Sequence, residues 1–296
     1  VVGHTAYDQL FRVERLPERH TSSPVRQHHT YFGGGGANVA AGIARLGGPC
    51  TLISAVGPDF PGGEYDRWLQ SLGVTRDYFV VKDRCTPTAY VFTDDAQDQI
   101  TFFEWGASEY FHHADAPSLE KVHLATADPD FNARVASRSS FVSFDPGQDL
   151  PWYSVEQVET ILDALTVLFA NRHEIDRLCG MLETTLEQLI ERIPVVVITR
   201  DVQGSELFEE GNHYFIPVVP VALADPTGAG DAYRAGFLSA YQKGYSSLIC
   251  ARVGTVTASY AVEKIGCQTN LPDWSAMEER YRGAFGPLSE GGEERT

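Results

Sequence analysis

A mainly parallel α/β sheet covered by helices on both faces, with a small β-rich appendage standing off it, is the fold predicted by the 296-residue sequence. Three observations carry that prediction. Short apolar runs bounded by turn residues alternate with helical patterns, which is the rhythm of a parallel sheet with crossover helices. Two segments, Asp8–Phe32 and Pro87–Trp105, break the rhythm. Two glycine-rich stretches stand directly before helices.

The buried strands of this rhythm are Thr51–Val56, Val122–Thr126, Phe141–Asp145, Val167–Asn171 and Val195–Thr199, each a compact apolar run. Helical patterns lie around them. Asn38–Leu46 places Val39, Ile43 and Leu46 on one stripe, Ser154–Leu165 opens on a serine with Glu156 two residues on, and Thr184–Arg192 precedes the strand at Val195. Asp8–Phe32 is polar and proline-interrupted. Pro87–Trp105 reads as two β-rich arms, TAYVFT and QITFFEW, around the turn-like DDAQD. The expected division is therefore an α/β body of residues 1–8, 33–81 and 108–296 with a β lid of residues 9–32 and 82–107. An edge hairpin of the main sheet is the alternative for the second segment. The Gly/Glu-rich tail, residues 286–296, is expected to be disordered.

A formal net charge of −17 would repel a nucleic-acid backbone or an anionic membrane unless a basic patch were concentrated locally, and the sequence shows none. No run of about eighteen apolar residues is present, and the first residues carry no signal-type pattern, so a cytoplasmic protein is expected. Cys50, Cys85, Cys179, Cys250 and Cys267 form no CxxC pair and point to neither a disulfide framework nor a zinc site. The pairs His28–His29 and His112–His113 diverge in any regular element and read as surface polar residues.

The most informative stretch is ADPTGAGDAYRAGFLSAYQKG, Ala224–Gly244. Gly228, Ala229 and Gly230 precede a helix on which Ala232, Ala235, Gly236, Ser239 and Ala240 follow i, i+3, i+4, i+7 and i+8, a stripe small enough for close packing. The helix start offers unpaired N–H groups and a positive dipole end, so an anion site is expected there. Asp231 in the first turn reads by itself as a capping carboxylate. Beside an anion cradle it also has what phosphoryl transfer to an alcohol requires, a base for the hydroxyl proton next to donors that stabilise the transferring group.

The second stretch, Gly33 to Gly36 before a helix beginning near Asn38, contains no GxxxxGK[ST], and a GxGxxG pattern would need glycine where Asn38 stands. A flexible hinge is one reading. Close backbone approach to a polyhydroxy ligand, with Asn38 as donor and acceptor, is the better fit.

Together these stretches resemble the signatures of the ribokinase-like (PfkB) family, DPTGAGDAYRAGF (Asp225–Phe237) being the most specific. The resemblance spans nearly the whole chain and is finer toward the archaeal nucleoside kinases, through GHTAYD, QITFFEWGA, SFDPGQDLP and GCQTNLP. It implies a Rossmann-like α/β fold with a β lid, and transfer of the ATP γ-phosphoryl group to the 5′-hydroxyl of a nucleoside. Carried over by position, it makes Asp231 the general base and the backbone of Gly228, Ala229 and Gly230 the anion hole. Asp8, Gly35, Gly36 and Asn38 would hold ribose. Apart from the resemblance, Gln99 and Phe103 stand in the second lid arm and are expected to reach the ligand, an exposed strand amide being the commoner reading of a lone Gln. Asn171, Thr199 and Gly204 would contact ATP, Asn171 and Glu174 would organise Mg²⁺ through water, and Asp225 matches a position that binds a monovalent cation such as K⁺. Arg200–Asp201 departs from the pattern, because a small residue is usual where Asp201 stands. A homodimer through the lid is expected on a different ground, because a small protruding sheet has one apolar face that a ligand or a partner subunit must cover.

Rival readings are a sugar or sugar-phosphate kinase on the same scaffold and a catalytically silent nucleotide-binding protein. A sugar phosphate would call for lid Arg or Lys. The arms instead carry Tyr90, Phe92, Phe102, Phe103 and Trp105, suited to stacking on a base, to the lid's own core or to a dimer contact.

Overall fold

The computed structural model describes residues 1–96 and 98–289, so the expected tail falls outside them from residue 290 onward. The first half of the chain forms β1 (Ala6–Val13), β2 (Val25–Gly33), α1 (Gly35–Arg45), β3 (Thr51–Val56), α2 (Glu64–Ser71), β4 (Thr75–Val80), β5 (Thr88–Thr93) and β6 (Gln99–Glu104). There follow β7 (Lys121–Leu124), α3 (Pro129–Ala136), β8 (Phe141–Phe144), α4 (Val155–Ala164), β9 (Leu165–Asn171), α5 (Arg172–Met181), α6 (Leu186–Arg192) and β10 (Val195–Thr199). The last part comprises β11 (Ser205–Glu209), β12 (Asn212–Ile216), α7 (Ala229–Gln242), α8 (Ser247–Ala261) and α9 (Trp274–Phe285).

Strands β7 to β12 lie in the spatial order β12-β11-β10-β9-β8-β7, and β3 pairs with β4. Residues 1–4 join the two groups. Val2 bridges Ile53 on one side and Leu124 on the other, both in parallel, and the Gly3 N–H donates to Ile53 O at 3.2 Å. The result is one central sheet, parallel from β4 to β10, with β11 and β12 antiparallel at its edge. This is the predicted fold class. Its strands alternate between two helical layers. Leu168, Ala170, Val196 and Ile198 meet α3 to α6, whereas Val167, Phe169, Val195 and Val197 meet α1, α7, α8 and α9.

The small-residue stripe of α7 is buried throughout and serves close packing. A Cβ on Gly236 would lie 2.4 Å from Thr257 Oγ1 of α8, and one on Gly42 of α1 would lie 2.5 Å from Ala235 Cβ. Helix α1 starts at Gly35, ahead of the expected start near Asn38. Glycines give no helical periodicity, so the sequence pattern becomes visible only beyond them. Tertiary packing supplies the missing reason: a Cβ on Gly36 would fall 2.5 Å from Gly3 Cα, so the helix start rests directly on the strand.

A second sheet has the order β2-β1-β5-β6. The hairpin β5–β6 therefore pairs with β1, not with the central sheet, and the first residues of the chain are shared between both sheets, Val2 bridging in the central one and Ala6–Val13 pairing in the second. Asp8 stands opposite Tyr31 and Ala89, and Ala89 opposite Phe103, so these side chains share one face with Leu10 and Val91. The other face carries Phe11, His28, Tyr90, Phe92, Ile100 and Phe102. Phe11 stacks on His28 and Phe92 at 4.3 and 4.6 Å, and Phe102 is 61% exposed.

Candidate active site

Asp145, Asn171 and Thr199 all stand where β8, β9 and β10 end, and the starts of α1 and α7 converge on the same edge of the sheet. Such a crevice at the carboxyl ends of parallel strands is where open α/β sheets bind ligands. Helix α7 opens on Gly228 in the left-handed region, φ 79°. A Cβ there would lie 2.7 Å from Cys267 Cβ, so glycine is required by both conformation and space. The Ala229 N–H turns back on Pro226 O at 3.2 Å. Donors for an anion at this helix start are thus the N–H groups of Gly228, Gly230 and Asp231.

Asp231 is partly buried, and both its oxygens have partners. Asn38 Nδ2 donates to Oδ2 at 2.8 Å, and Arg234 Nη1 lies 3.4 Å from Oδ1. Burial pushes its pKa above the ordinary carboxylate value, while Arg234 and Asn38 pull it back. Asn38 is itself oriented. Its Oδ1 accepts from Gln268 Nε2 at 2.9 Å, and Gln268 also donates to Tyr65 Oη and accepts from Trp68 Nε1. An amide whose oxygen is committed to a donor must present its nitrogen to Asp231. Asn38 is 4% exposed, and its remaining capacity toward a ligand is the second amide hydrogen and the second lone pair of Oδ1.

Asp8 enters from β1 of the second sheet. Its carboxylate is raised to about 7, first by burial and then by the charges of Asp231 and Asp225, with Cys267 Sγ donating at 3.9 Å in partial compensation. A Cβ on Gly33 would overlap this carboxylate, so the glycine before α1 makes room for Asp8. Gly35 faces the same place, its missing Cβ lying 3.9 Å from Asp231 Oδ1. Phe103 packs at the root of the second sheet, 5.2 Å from the buried His4 ring. Gln99 is apart from this group. It is exposed, donates to Thr93 Oγ1 at 3.2 Å, and lies four residues, roughly 13 Å, along β6 from Phe103.

At the end of β9, Asn171 caps α5. Its Oδ1 accepts the N–H of His173 and of Glu174, each at 2.9 Å, and Glu174 Oε2 accepts the Asn171 N–H at 2.8 Å. Each side chain keeps one polar atom outside this capping box. Glu174 is close enough to Asp145 for its charge to raise the Asp145 carboxyl, which burial raises first. Thr199 ends β10, and Gly204 closes the following turn at φ 103°, where a Cβ would strike Ile216 O. Arg200 is tied to Glu206, and Asp201 takes φ 50°. Asp225 links two turns, accepting from the N–H of Thr227 at 2.9 Å and of Gly266 at 3.3 Å.

Sequence reasoning missed Asp145, Arg234, Tyr65, Cys267 and Gln268. Asp145 ends a strand that was read correctly, and strand-end carboxylates in a parallel sheet are the signal that could have found it.

A carboxylate beside the unpaired N–H groups of a helix start is an arrangement that can serve phosphoryl transfer to an alcohol group, and the fold is shared with small-molecule kinases. The chain belongs to the pfkB family of carbohydrate kinases, whose pattern matches residues 1–274. It is 43% identical to the nucleoside kinase of Methanocaldococcus jannaschii, over 94% of this chain and 95% of the relative. The nucleoside kinase of Methanothermobacter thermautotrophicus is 42% identical over 96% of each chain. A crystal structure of Methanocaldococcus jannaschii nucleoside kinase superposes with a TM-score of 0.91 at 42% identity, covering 95% of this chain and 97% of that one.

Proposed function

We propose that the protein is an ATP-dependent nucleoside kinase that phosphorylates the 5′-hydroxyl. The observation that carries this reading is the placement of Asp231 between the α7 start and Asp8. An acceptor whose sugar hydroxyls hydrogen-bond to Asp8 directs its outer hydroxyl at Asp231, while the N–H groups of Gly228, Gly230 and Asp231 receive the transferring group. Asp231 takes the hydroxyl proton as the oxygen attacks phosphorus. The face around Asp8 supports a nucleoside over a sugar phosphate, because Leu10, Tyr31, Val91 and Phe103 offer apolar surface to a base. The two archaeal relatives at 43% and 42% identity are nucleoside kinases.

Hard oxygen donors suit a water-bridged Mg²⁺, and Glu174 keeps one carboxylate oxygen free of its capping box, near Asp145. Glu174 and Asn171 would hold the ion through water, and the ion would supply charge neutralisation of the ATP phosphates. Asp225 remains the candidate for a monovalent cation, with both oxygens already accepting backbone N–H groups.

The direct test is ADP release with ATP and Mg²⁺ against a panel of nucleosides, ribose and ribose phosphates. Nucleoside-dependent release is expected. Faster turnover of ribose or its phosphates would overturn the acceptor assignment, and no release with any acceptor would overturn the kinase reading.

The β2-β1-β5-β6 sheet acts as a lid in this reading, since water reaching the γ-phosphate would compete with the acceptor. Nucleoside is expected to add hydrogen-exchange protection at Thr88–Thr93 and Gln99–Glu104; equal protection with and without it removes the lid role. The outer aromatic face, with Phe92, Ile100 and Phe102, is the surface for a homodimer, which sedimentation would show as a species of twice the chain mass. The acidic chain, and the absence of any helix long and apolar enough to cross a membrane among the described residues, fit a cytoplasmic enzyme.

A further inference from the structure

Arg234 is a buried cation in a place where a cation is unfavourable. Three and four residues beyond Asp231 and Gly230, its side chain runs back along α7 to the positive end of the helix dipole. Its guanidinium fills the space a residue-230 side chain would need, Nη1 lying 2.5 Å from the ideal Cβ position of Gly230. The glycine expected to admit a phosphate thus also admits an arginine. Nη2 is held by Asp145 Oδ1 at 2.5 Å, a bond spanning 89 residues, and the two side chains are 11% and 4% exposed. Nε is buried without a hydrogen-bond partner. An ordinary buried ion pair that only tied α7 to β8 would satisfy its donors and avoid the helix start.

We propose that Arg234 is a positioning residue for Asp231: anchored by Asp145, its guanidinium fixes the carboxylate through Oδ1 and keeps it ionised inside the buried site. The inference deepens the kinase reading and rests on it. The charge of Asp231 is felt by three other acidic groups, Asp8 from β1, Asp145 from the end of β8 and Cys267 from the turn after α8; Asp225 adds its charge at Asp8 and Cys267, and Glu174 at Asp145. Asn38 of α1 is neutral, and Arg234 is the one cation that acts on Asp231 among the described residues. Without it, burial would favour a protonated Asp231, which cannot accept the hydroxyl proton. The 3.4 Å separation from Oδ1 is long for a charge-assisted hydrogen bond, so that oxygen can still take a proton from an acceptor hydroxyl.

The test is the pH dependence of kcat/KM in wild type, Arg234→Lys and the double variant Arg234→Met/Asp145→Asn. The double variant avoids leaving Asp145 as an unpaired buried charge. Its acid limb is expected to move up by about one pH unit or more, with much of the rate regained at high pH, while the lysine variant moves less. Carboxyl ¹³C titration of Asp-labelled protein, assigned with Asp231→Asn, reads the same shift without turnover. An unmoved carboxyl titration in folded double variant overturns the proposal, as does a rate loss equal at every pH. A wild-type protein inactive on every nucleoside, with the titration shifted as expected, would count against the kinase reading alone.

Discussion

Replacing Asp231 by Asn is expected to lower turnover by about 10²-fold or more, with affinities for ATP and nucleoside changed by roughly threefold or less. Asparagine keeps the shape of the side chain and can still accept from Asn38, so the line from Trp68 through Gln268 and Asn38 stays intact. What it loses is the ability to take the acceptor proton. Arg234 retains Asp145 as its counter-charge, which argues against collapse of the helix start. Initial rates with calorimetric binding separate the two effects. Turnover near that of the wild type would remove Asp231 as the base, and an equal loss of both affinities would mean that the variant had damaged the site.

The second large effect concerns stability. Asp8 has its pKa raised from 3.8 to about 7, so the folded, ligand-free protein holds that proton more tightly than the unfolded chain. The sign follows from linkage. A raised folded value contributes stability below the unfolded pKa, and that contribution is lost as pH rises to about 7. Asp8→Asn removes a partly buried charge present only above that window. The variant is expected to gain up to about 4 kcal/mol at pH 8, which is three pKa units at about 1.4 kcal/mol each, and little at pH 4. Nucleoside affinity should fall by about 10- to 150-fold, the worth of a charge-assisted hydrogen bond, while ATP affinity holds. Denaturation midpoints at the two pH values check the first part and binding titrations the second. A variant less stable than wild type at pH 8 would show that Asp8 holds the apo fold together. The expected pattern is that of a site whose binding charge is costly until a ligand covers it.

The central sheet was legible because its strands, such as Thr51–Val56 and Val195–Thr199, are buried on both faces and appear as continuous apolar runs. β1 and β2 were harder to delimit for the opposite reason. One of their faces mixes Asp8 with Leu10 and Arg12, the other Tyr7 with Gln9 and Phe11, and neither alternation is simply apolar against polar. At the site, local pattern pointed to the α7 start, Asp231, the glycine run before α1 and Asn38, and the resemblance to known kinases supplied the rest of the expected residues. The partners that orient Asp231 were beyond such reading. Asp145 meets Arg234 across 89 residues and Gln268 meets Asn38 across 230, so neither pairing leaves a spacing in the sequence. The glycines show the same limit: Gly230 and Gly228 look like room for a ligand, yet Arg234 and Cys267 already press on them.

The strip formed by residues 1–4 bears on how the chain folds. Val2 must find Ile53 about 50 residues on and Leu124 about 120 residues on before the sheet is continuous. During synthesis this strip emerges ahead of both neighbours. The β3–β4 unit can assemble first, and the β7–β10 unit later, but each keeps an open edge until the strip is seated between them. Loop-closure entropy makes so distant a union slow, and unsealed strand edges invite pairing with other chains in the meantime. Refolding should therefore pass through a species with much of its secondary structure but a divided sheet, whose yield falls as protein concentration rises.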